Sequence, residues 1–242
     1  MSFKKNDISP VPKPVKPIEQ ILSDLVQIRS GEWSKYAFSR DPIVRKISDA
    51  AKLQYMEKAE ECGREYARKM SDLYGTGNPE KIALKMGMEV SYPELPKSRV
   101  RILFAEFRAP KTIRVYTDTI AKCAPFLSRK EVAEILTPRL NIRHLLLAHE
   151  LFHAVEDKYR KEIYTKTERI RLWKFGPLHN DSPILALGEI AAMSFARELT
   201  HLPYSPYVLD VFLVYGYYPA EATDLYEEIM ELCGRTPGSS AN

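Results

Sequence analysis

Two histidines and a glutamate lie within five residues of each other in the stretch HLLLAHELFHAVED (144–157). His149 and His153 are four residues apart, so on an α-helix their imidazoles project from one face, one turn from each other. This spacing allows both side chains to bind one metal ion, and H-E-x-x-H is the arrangement found in zinc peptidases. Glu150 projects from a neighbouring edge, where its carboxylate can reach a water at the metal without binding the metal. The motif therefore predicts a Zn²⁺ site with Glu150 as the catalytic base.

The residues that flank the motif strengthen this prediction, because they are uncharged. A buried helix that carries a carboxylate and two imidazoles loses several kcal/mol to desolvation unless these groups are paired. A bound cation supplies that pairing. The alternative is a helix with hydrogen-bonded core histidines and one salt-bridged glutamate. The flanking residues are Leu145, Leu146, Leu147, Ala148, Leu151, Phe152, Ala154 and Val155.

A catalytic zinc has a third protein ligand and leaves its fourth position open to water. The extended form of the motif has glycine and a third histidine where this chain has Glu156 and Tyr159, so the third ligand must come from elsewhere. Glu189 heads a stripe of small and apolar residues in GEIAAMSFAREL (188–199), and we predict that it is this ligand. The alternative role for Glu189 is an acidic residue that stabilises the N-terminus of its helix. Glu198 lies off the stripe and is expected to be solvated.

The elements that position these residues follow from the hydrophobic period. Helical spacing predicts a fold with many helices and a change to short, β-branched and aromatic segments between about 88 and 118. We interpret MEVSYPEL, RVRILFAEF and TIRVYTDTI as a small, largely antiparallel sheet, and the order of elements as an α+β fold. The longer predicted helices cover 18–29, 43–74, 129–136, 139–158, 184–201, 206–215 and 219–233.

Four regions are expected along the chain. The prolines in residues 1–18 predict an extended arm. Residues 19–75 are a helical N-terminal extension, and residues 76–234 are the domain that carries the metal motif. The extension and this domain are expected to form one compact unit, and residues 235–242 a disordered tail.

The composition excludes some classes of protein. The net charge is +4, from 36 basic and 32 acidic side chains without a dense basic stripe, so nucleic acid is an unlikely partner. No segment approaches the roughly 18 apolar residues of a membrane span, and no apolar run follows the N-terminal lysines. The cysteines Cys62, Cys123 and Cys233 are far apart and form no CxxC pair. We therefore expect a reduced, cytoplasmic protein without a membrane anchor.

Two motifs together resemble the ImmA/IrrE metallopeptidase family. LLLAHELFHAVE is followed by E-x-x-A-x-x-F-A-x-x-L, and the similarity covers about residues 60–205. The resemblance implies a zincin-like fold of the gluzincin kind, with His149, His153 and Glu189 as zinc ligands and Glu150 as the catalytic glutamate. The strand IRVYTDTI is similar to the strand that precedes the active-site helix in the family. This chain differs in having Phe152 where a glycine is usual, and in a long linker between the motifs.

Other residues are candidates for supporting roles. Glu156 and Asp157 follow the histidines by about one turn and are expected either to orient them or to form a solvated pair. The strand at 112–118 is a candidate for binding an extended substrate by edge pairing. We consider five further residues as contacts of the transition state or the substrate, although a structural role is more common for each of them. These residues are His179, Tyr164, Arg143, Tyr204 and Tyr207.

The sequence thus favours a zinc-dependent endopeptidase that acts on a protein or peptide. The resemblance suggests a regulatory protein, such as a repressor, as substrate. The alternative is a catalytically silent module that binds metal and acts through protein interaction or regulation. Glu150 favours the peptidase, because a structural zinc needs no general base and is usually enclosed by four ligands, often cysteines.

Overall fold

The structure is a computed structural model that describes residues 14–96, 102–136 and 140–236. Most of the predicted arm (1–13), the start of the strand RVRILFAEF (99–101), position 139 of the motif helix and most of the tail (237–242) lie outside these ranges. The strands are β1 (Glu89–Ser91), β2 (Ala105–Arg108), β3 (Thr112–Val115), β4 (Ile170–Phe175) and β5 (Leu178–Ser182). The α-helices are α1 (Ile18–Leu25), α2 (Ser34–Phe38), α3 (Asp49–Tyr74), α4 (Pro79–Lys85), α5 (Thr117–Ala121), α6 (Ala124–Leu127), α7 (Lys130–Leu136), α8 (Ile142–Lys158), α9 (Tyr164–Thr167), α10 (Ala186–Thr200), α11 (Val208–Tyr215) and α12 (Pro219–Leu232).

The fold is α+β, as predicted, and its main sheet is mixed. The strand order is β1-β3-β2, with β2 antiparallel and β1 parallel to β3. The prediction of a largely antiparallel sheet is therefore wrong for β1. A short turn at 109–111 joins β2 and β3 and makes them a hairpin, and β1 pairs with the side of β3 away from β2. The alternation of apolar and polar residues along a strand does not show which strands are neighbours, so the sequence did not predict this strand order.

The long helix α3 begins later than its hydrophobic period predicts. A 3-10 turn occupies Val44–Lys46, and α3 starts after Ser48, whose hydroxyl accepts a hydrogen bond from the backbone N–H of Ala51 at 3.2 Å. Such a cap satisfies an amide that the first helical turn leaves without a partner. The helix ends at Gly75, where φ is +64° and glycine carries no steric penalty.

A hairpin between the two motif helices was not predicted. Strands β4 and β5 pair antiparallel, and their register shifts between Arg171 and Trp173. This bulge places Trp173, Phe175 and Leu178 on one face and the Arg171–Asp181 ion pair on the other. It also breaks the alternation of apolar and polar residues, which is the sequence signal of a strand. Trp173, Phe175 and Leu178 are more than half exposed, whereas Ile170 packs against the core.

Helix α10, which carries Glu189, is held in place by its neighbours and most closely by α3. Helix α10 packs against both α3 and α8, and β2 and β3 pack on the other side of α8. A Cβ atom at Gly63 of α3 would lie 2.3 Å from the carbonyl oxygen of Ala191. Glycine at this position therefore lets α3 approach α10 closely, and the Ser194 hydroxyl donates to the carbonyl of Glu60 at 2.8 Å. This packing fixes the position of α10 relative to the histidines of α8.

Buried apolar residues from α1 to α12 form one continuous cluster, from Ile18 to Met230. The segment before α1 is attached to this core, since the Tyr215 hydroxyl donates to the carbonyl of Lys16 at 3.1 Å. The three cysteines are free thiols. Within the described ranges, no helix has both the length and the apolar character that crossing a bilayer requires.

Candidate metal centre

The motif helix α8 is buried on most of its sides. Its start is capped by Asn141, whose side chain accepts a hydrogen bond from the backbone N–H of His144 at 3.0 Å. The side chains of His149 and Glu150 are largely enclosed, and residue exposures are 8% and 6%. The helix therefore presents polar groups inside the protein, as the sequence predicts, and these groups need partners.

Three donor atoms converge where α8 meets the start of α10. The Nε2 atoms of His149 and His153 are 3.3 Å apart. Glu189 brings one carboxylate oxygen to 3.3 Å from His149 Nε2 and the other to 3.6 Å from His153 Nε2. Ligands about 2.1 Å from a tetrahedral zinc are separated by about 3.4 Å, so the donor spacing fits such an ion. His149, His153 and Glu189 thus form a cluster that can hold a metal ion.

Glu189 lies at the mouth of the site. Its side chain is 57% exposed, although its neighbours in the chain, Gly188 and Ile190, are buried. The outer side of the carboxylate faces solvent, while its oxygens face the two imidazoles. Desolvation by the surrounding atoms raises the pKa of Glu189, but the hydrogen bond and charge of His149, with the charge of His153, outweigh it and hold this pKa well below its ordinary value. The carboxylate is therefore ionised and suited to a cation.

Glu150 is anchored to the sheet. Its Oε2 accepts a hydrogen bond from the backbone N–H of Phe107 in β2 at 2.7 Å. The carbonyl of Phe104 accepts from the Tyr116 N–H across the β2–β3 pair, so the backbone groups of Ala105 and Phe107 face the opposite edge of β2. Within the described ranges no other strand pairs with this edge, which we call the free edge of β2. The edge that faces Glu150 therefore belongs to β2. The prediction that the strand at 112–118 offers its edge is wrong, because β3 is central and has both edges paired.

Glu156 lies behind the histidines, as one of the two alternatives from the sequence requires. Its Oε2 is 3.7 Å from His153 Nδ1 and 2.8 Å from Lys166 Nζ. Burial raises the pKa of Glu156, but hydrogen bonds with His153 and Lys166 hold it below its ordinary value. Burial lowers the pKa of His153, but Glu156 and Glu189 raise it above its ordinary value. Asp157, in contrast, is exposed and lies 3.9 Å from Arg160, so it does not orient the histidines.

The space that Glu156 occupies depends on Gly188, the residue before Glu189. A Cβ atom at this position would lie 2.9 Å from Oε1 of Glu156. Gly188 thus lets the start of α10 pass directly over the buried carboxylate. No side-chain pattern in the sequence reveals this contact, because it joins two helices.

An apolar pocket adjoins the site. Both His149 and Glu150 line it, and it is partly open to solvent. A second acidic residue, Asp210 of α11, lines the same pocket. Sequence analysis missed Asp210, although an acid within the apolar run VLDVFLVY (208–215) is the same kind of signal that identified the metal motif. The other lining residues are Ala105, Leu145, Leu146, Met193, Ala196, Pro206, Leu209 and Leu213.

The five residues considered as transition-state or substrate contacts do not line this pocket. Arg143 lies 3.5 Å from Glu80, and its guanidinium covers the ring of Tyr92. His179 is on the β4–β5 hairpin, 3.5 Å from Asp181, and Tyr164 lines a separate groove beside Cys62. These three predictions therefore find no support in the geometry.

The two remaining tyrosines belong to the core. The Tyr204 hydroxyl donates to the carbonyl of Leu136 at 2.8 Å. Tyr207 stacks on Trp33, with ring centroids 5.4 Å apart. Both are therefore packing residues, which is the role that is more common for buried tyrosine.

Comparison of the chain with protein-family models, with curated proteins and with solved structures found no match. Any assignment of function therefore depends on the residues of the site and on their arrangement.

Proposed function

We propose that this protein is a zinc-dependent metallopeptidase with a zincin-like fold, which hydrolyses peptide bonds in a protein or peptide substrate. The observation that carries the proposal is the convergence of His149, His153 and Glu189 beside a carboxylate, Glu150, that is bound to a free strand edge. This arrangement agrees with the resemblance of the two motifs to the ImmA/IrrE family. A regulatory protein such as a repressor is the substrate that this resemblance suggests.

The roles of the residues follow from their positions. The two imidazoles and Glu189 would hold the zinc, which when bound would supply Lewis acidity toward a carbonyl and toward water, whose pKa at zinc is about 7. Glu150 accepts the proton of the attacking water and transfers it to the leaving amine. The Phe107 N–H fixes the Glu150 carboxylate, so the base needs little reorganisation when the water reacts.

The free edge of β2 is suited to bind an extended substrate. On this edge the Phe107 N–H already donates to Glu150 and Ala105 is only 2% exposed, so the Phe107 carbonyl is the outward backbone group that a substrate reaches first. A polypeptide that adds to this edge is held by main-chain hydrogen bonds and passes in front of the metal ligands. Specificity then comes from side-chain pockets along that path.

The same observations disfavour the silent module. A structural zinc is usually enclosed by four protein ligands, whereas the described residues supply a cluster of three. A buried base in contact with a strand edge also has no role in a purely structural site. A catalytic site uses both the metal position that three ligands leave open and the buried base.

Two measurements on one set of variants test the proposal. The protein is purified without a metal-affinity tag, its zinc content is measured by elemental analysis, and cleavage of a peptide library is followed by mass spectrometry. We expect about one zinc per chain in the wild type, loss of zinc in Glu189→Ala, and retained zinc without cleavage in Glu150→Gln.

Glu198→Ala is the matched control, because this glutamate is on the same helix but pairs with Arg68 on the surface. A wild type that neither contains zinc nor takes it up contradicts the proposal. A wild type that binds zinc but cleaves none of the peptides and no protein substrate supports the silent module instead.

A further inference from the structure

The pocket beside the metal cluster contains a buried carboxylate with one unused oxygen. Asp210 is 5% exposed, and its Oδ2 accepts a hydrogen bond from the Tyr36 hydroxyl at 2.7 Å. Its Oδ1 is buried and has no hydrogen-bond partner within the described part of the chain. A buried polar atom without a partner is costly to the folded protein, so it points to a ligand group that completes the site.

Apart from His149 and Glu150, the other walls of the pocket are apolar. Leucine side chains from α8 and α11 and Met193 of α10 line it, and Asp210 is a second acid beside Glu150, which the backbone N–H of Phe107 already holds. Apolar walls that lead to an acid with an unused oxygen fit a side chain with a methylene stem and a cationic head. A charge-assisted hydrogen bond to a carboxylate is about twice as strong as a neutral one, so the acid selects for that head.

The charge state of Asp210 agrees with this role. Burial raises the pKa of Asp210 to about 7, although the hydrogen bond from Tyr36 and the charge of Arg40 lower it. The charge of Glu189 raises it further. A cation that enters the pocket offsets this burial and favours the ionised carboxylate.

We propose that this pocket is a substrate subsite for a lysine or arginine side chain next to the scissile bond, and that Asp210 is the residue that determines this specificity. The inference rests on the proposed peptidase function, because the pocket shares His149 and Glu150 with the candidate metal centre. It adds a substrate class to that function: polypeptides with a basic residue at the cleavage site.

Matched peptides test the inference in the zinc-loaded protein. Two peptide series place either lysine or norleucine, which has the same stem without the ammonium group, on each side of the scissile bond in turn. We expect kcat/KM to favour lysine by about tenfold or more at one of these positions in the wild type, and Asp210→Asn to reduce this ratio to about one. Tyr36→Phe keeps the carboxylate and should keep the preference, as should Asp157→Asn, which removes an exposed acid.

A binding measurement makes the result independent of turnover. Zinc-free Glu150→Gln protein is titrated with n-butylammonium chloride, and the methyl signals of Leu145 and Leu213 are followed by NMR. We expect saturable shifts that are lost when Asp210→Asn is added. Thermal unfolding of each variant checks that it is folded, and the lysine-to-norleucine ratio of the wild type keeps the inference falsifiable if Asp210→Asn is not.

The outcomes separate the inference from the proposed function. Cleavage that shows no preference for lysine, or a preference that survives in Asp210→Asn, overturns the subsite and leaves the peptidase intact. Absence of cleavage together with Asp210-dependent binding of n-butylammonium overturns the peptidase and supports the cationic pocket. Equal binding of n-butylammonium with and without Asp210→Asn also counts against the pocket.

Discussion

The backbone N–H of Phe107 donates a hydrogen bond to Oε2 of Glu150 at 2.7 Å, and this contact joins the motif helix to the free edge of β2. A glutamate on a buried helix has several rotamers, and the hydrogen bond selects one of them. The same contact places the proposed base beside the backbone groups that would bind a substrate. The strand edge thus orients the carboxylate of the proposed base before the reaction begins.

Gly188→Ala should weaken metal binding without removing a ligand. The new Cβ would lie 2.9 Å from Oε1 of Glu156, and the end of that side chain must move away. Loss of an outer carboxylate partner of a metal-binding histidine typically costs 10–100-fold in affinity, and we expect about this loss for zinc. Competition with a chelator measures the affinity. Gly77→Ala is the control, because a Cβ at that position meets nothing within 4 Å.

Glu156→Gln should produce a similar loss by a different route. The neutral amide no longer stabilises positive charge on His153, and it no longer forms an ion pair with Lys166. We expect zinc affinity to fall by about 10–100-fold. The double variant with Gly188→Ala should show little further loss of affinity, because both changes disrupt the same contact, the one between Glu156 and His153. Additive losses in chelator competition would contradict this interpretation.

Gly63→Ala should destabilise the fold at the contact between α3 and α10. The new Cβ would lie 2.3 Å from the Ala191 carbonyl oxygen, and both groups belong to helix backbones that cannot move locally. Overpacking of this kind typically costs about 1–3 kcal/mol in the free energy of unfolding. Urea unfolding measures it, again with Gly77→Ala as the control. An unchanged midpoint would show that the helices separate at little cost.

The stability of the protein should depend on pH through Asp210. The carboxyl is protonated up to about pH 7 in the folded state, but only to about pH 4 in the unfolded chain. The folded state binds more protons between these values, so the contribution of Asp210 to stability is present at low pH and is lost as pH rises. The neighbouring Tyr36 stays protonated, because burial raises its pKa.

Asp210→Asn isolates this effect, since the amide oxygen can still accept from Tyr36. Relative to the wild type, we expect the variant to gain stability between pH 5 and 7 by at most about 1.4 kcal/mol per pH unit. Urea unfolding at several pH values measures the difference. A difference that does not change with pH would mean that Asp210 ionises normally.

The β4–β5 hairpin should contribute little to global stability. Trp173, Phe175 and Leu178 are 52%, 81% and 64% exposed. Replacing each with serine should change the free energy of unfolding by about 0.5 kcal/mol or less, and should leave zinc content unchanged. Chemical unfolding and elemental analysis check this. A large loss from any one replacement would show that this side chain, and not only Ile170, packs on the core.

Local spacing determined a large part of this protein from its sequence alone. The four-residue separation of His149 and His153 fixes their relation through the pitch of a single helix, whatever surrounds that helix. The acid at the head of an apolar stripe indicated Glu189, because a charge beside a core requires a partner. The α+β composition of the fold also follows from the change of hydrophobic period along the chain.

The tertiary structure decided the features that arise from contacts between two helices or strands. The contact of Phe107 with Glu150 involves a backbone amide, which leaves no trace in residue types. The parallel placement of β1, the passage of Gly188 over Glu156, and the entry of Asp210 into a pocket with Glu150 each join segments that are distant in sequence. The sequence carries the local geometry of the ligands, whereas the packing of α8 between the sheet and α10 decides which groups surround them.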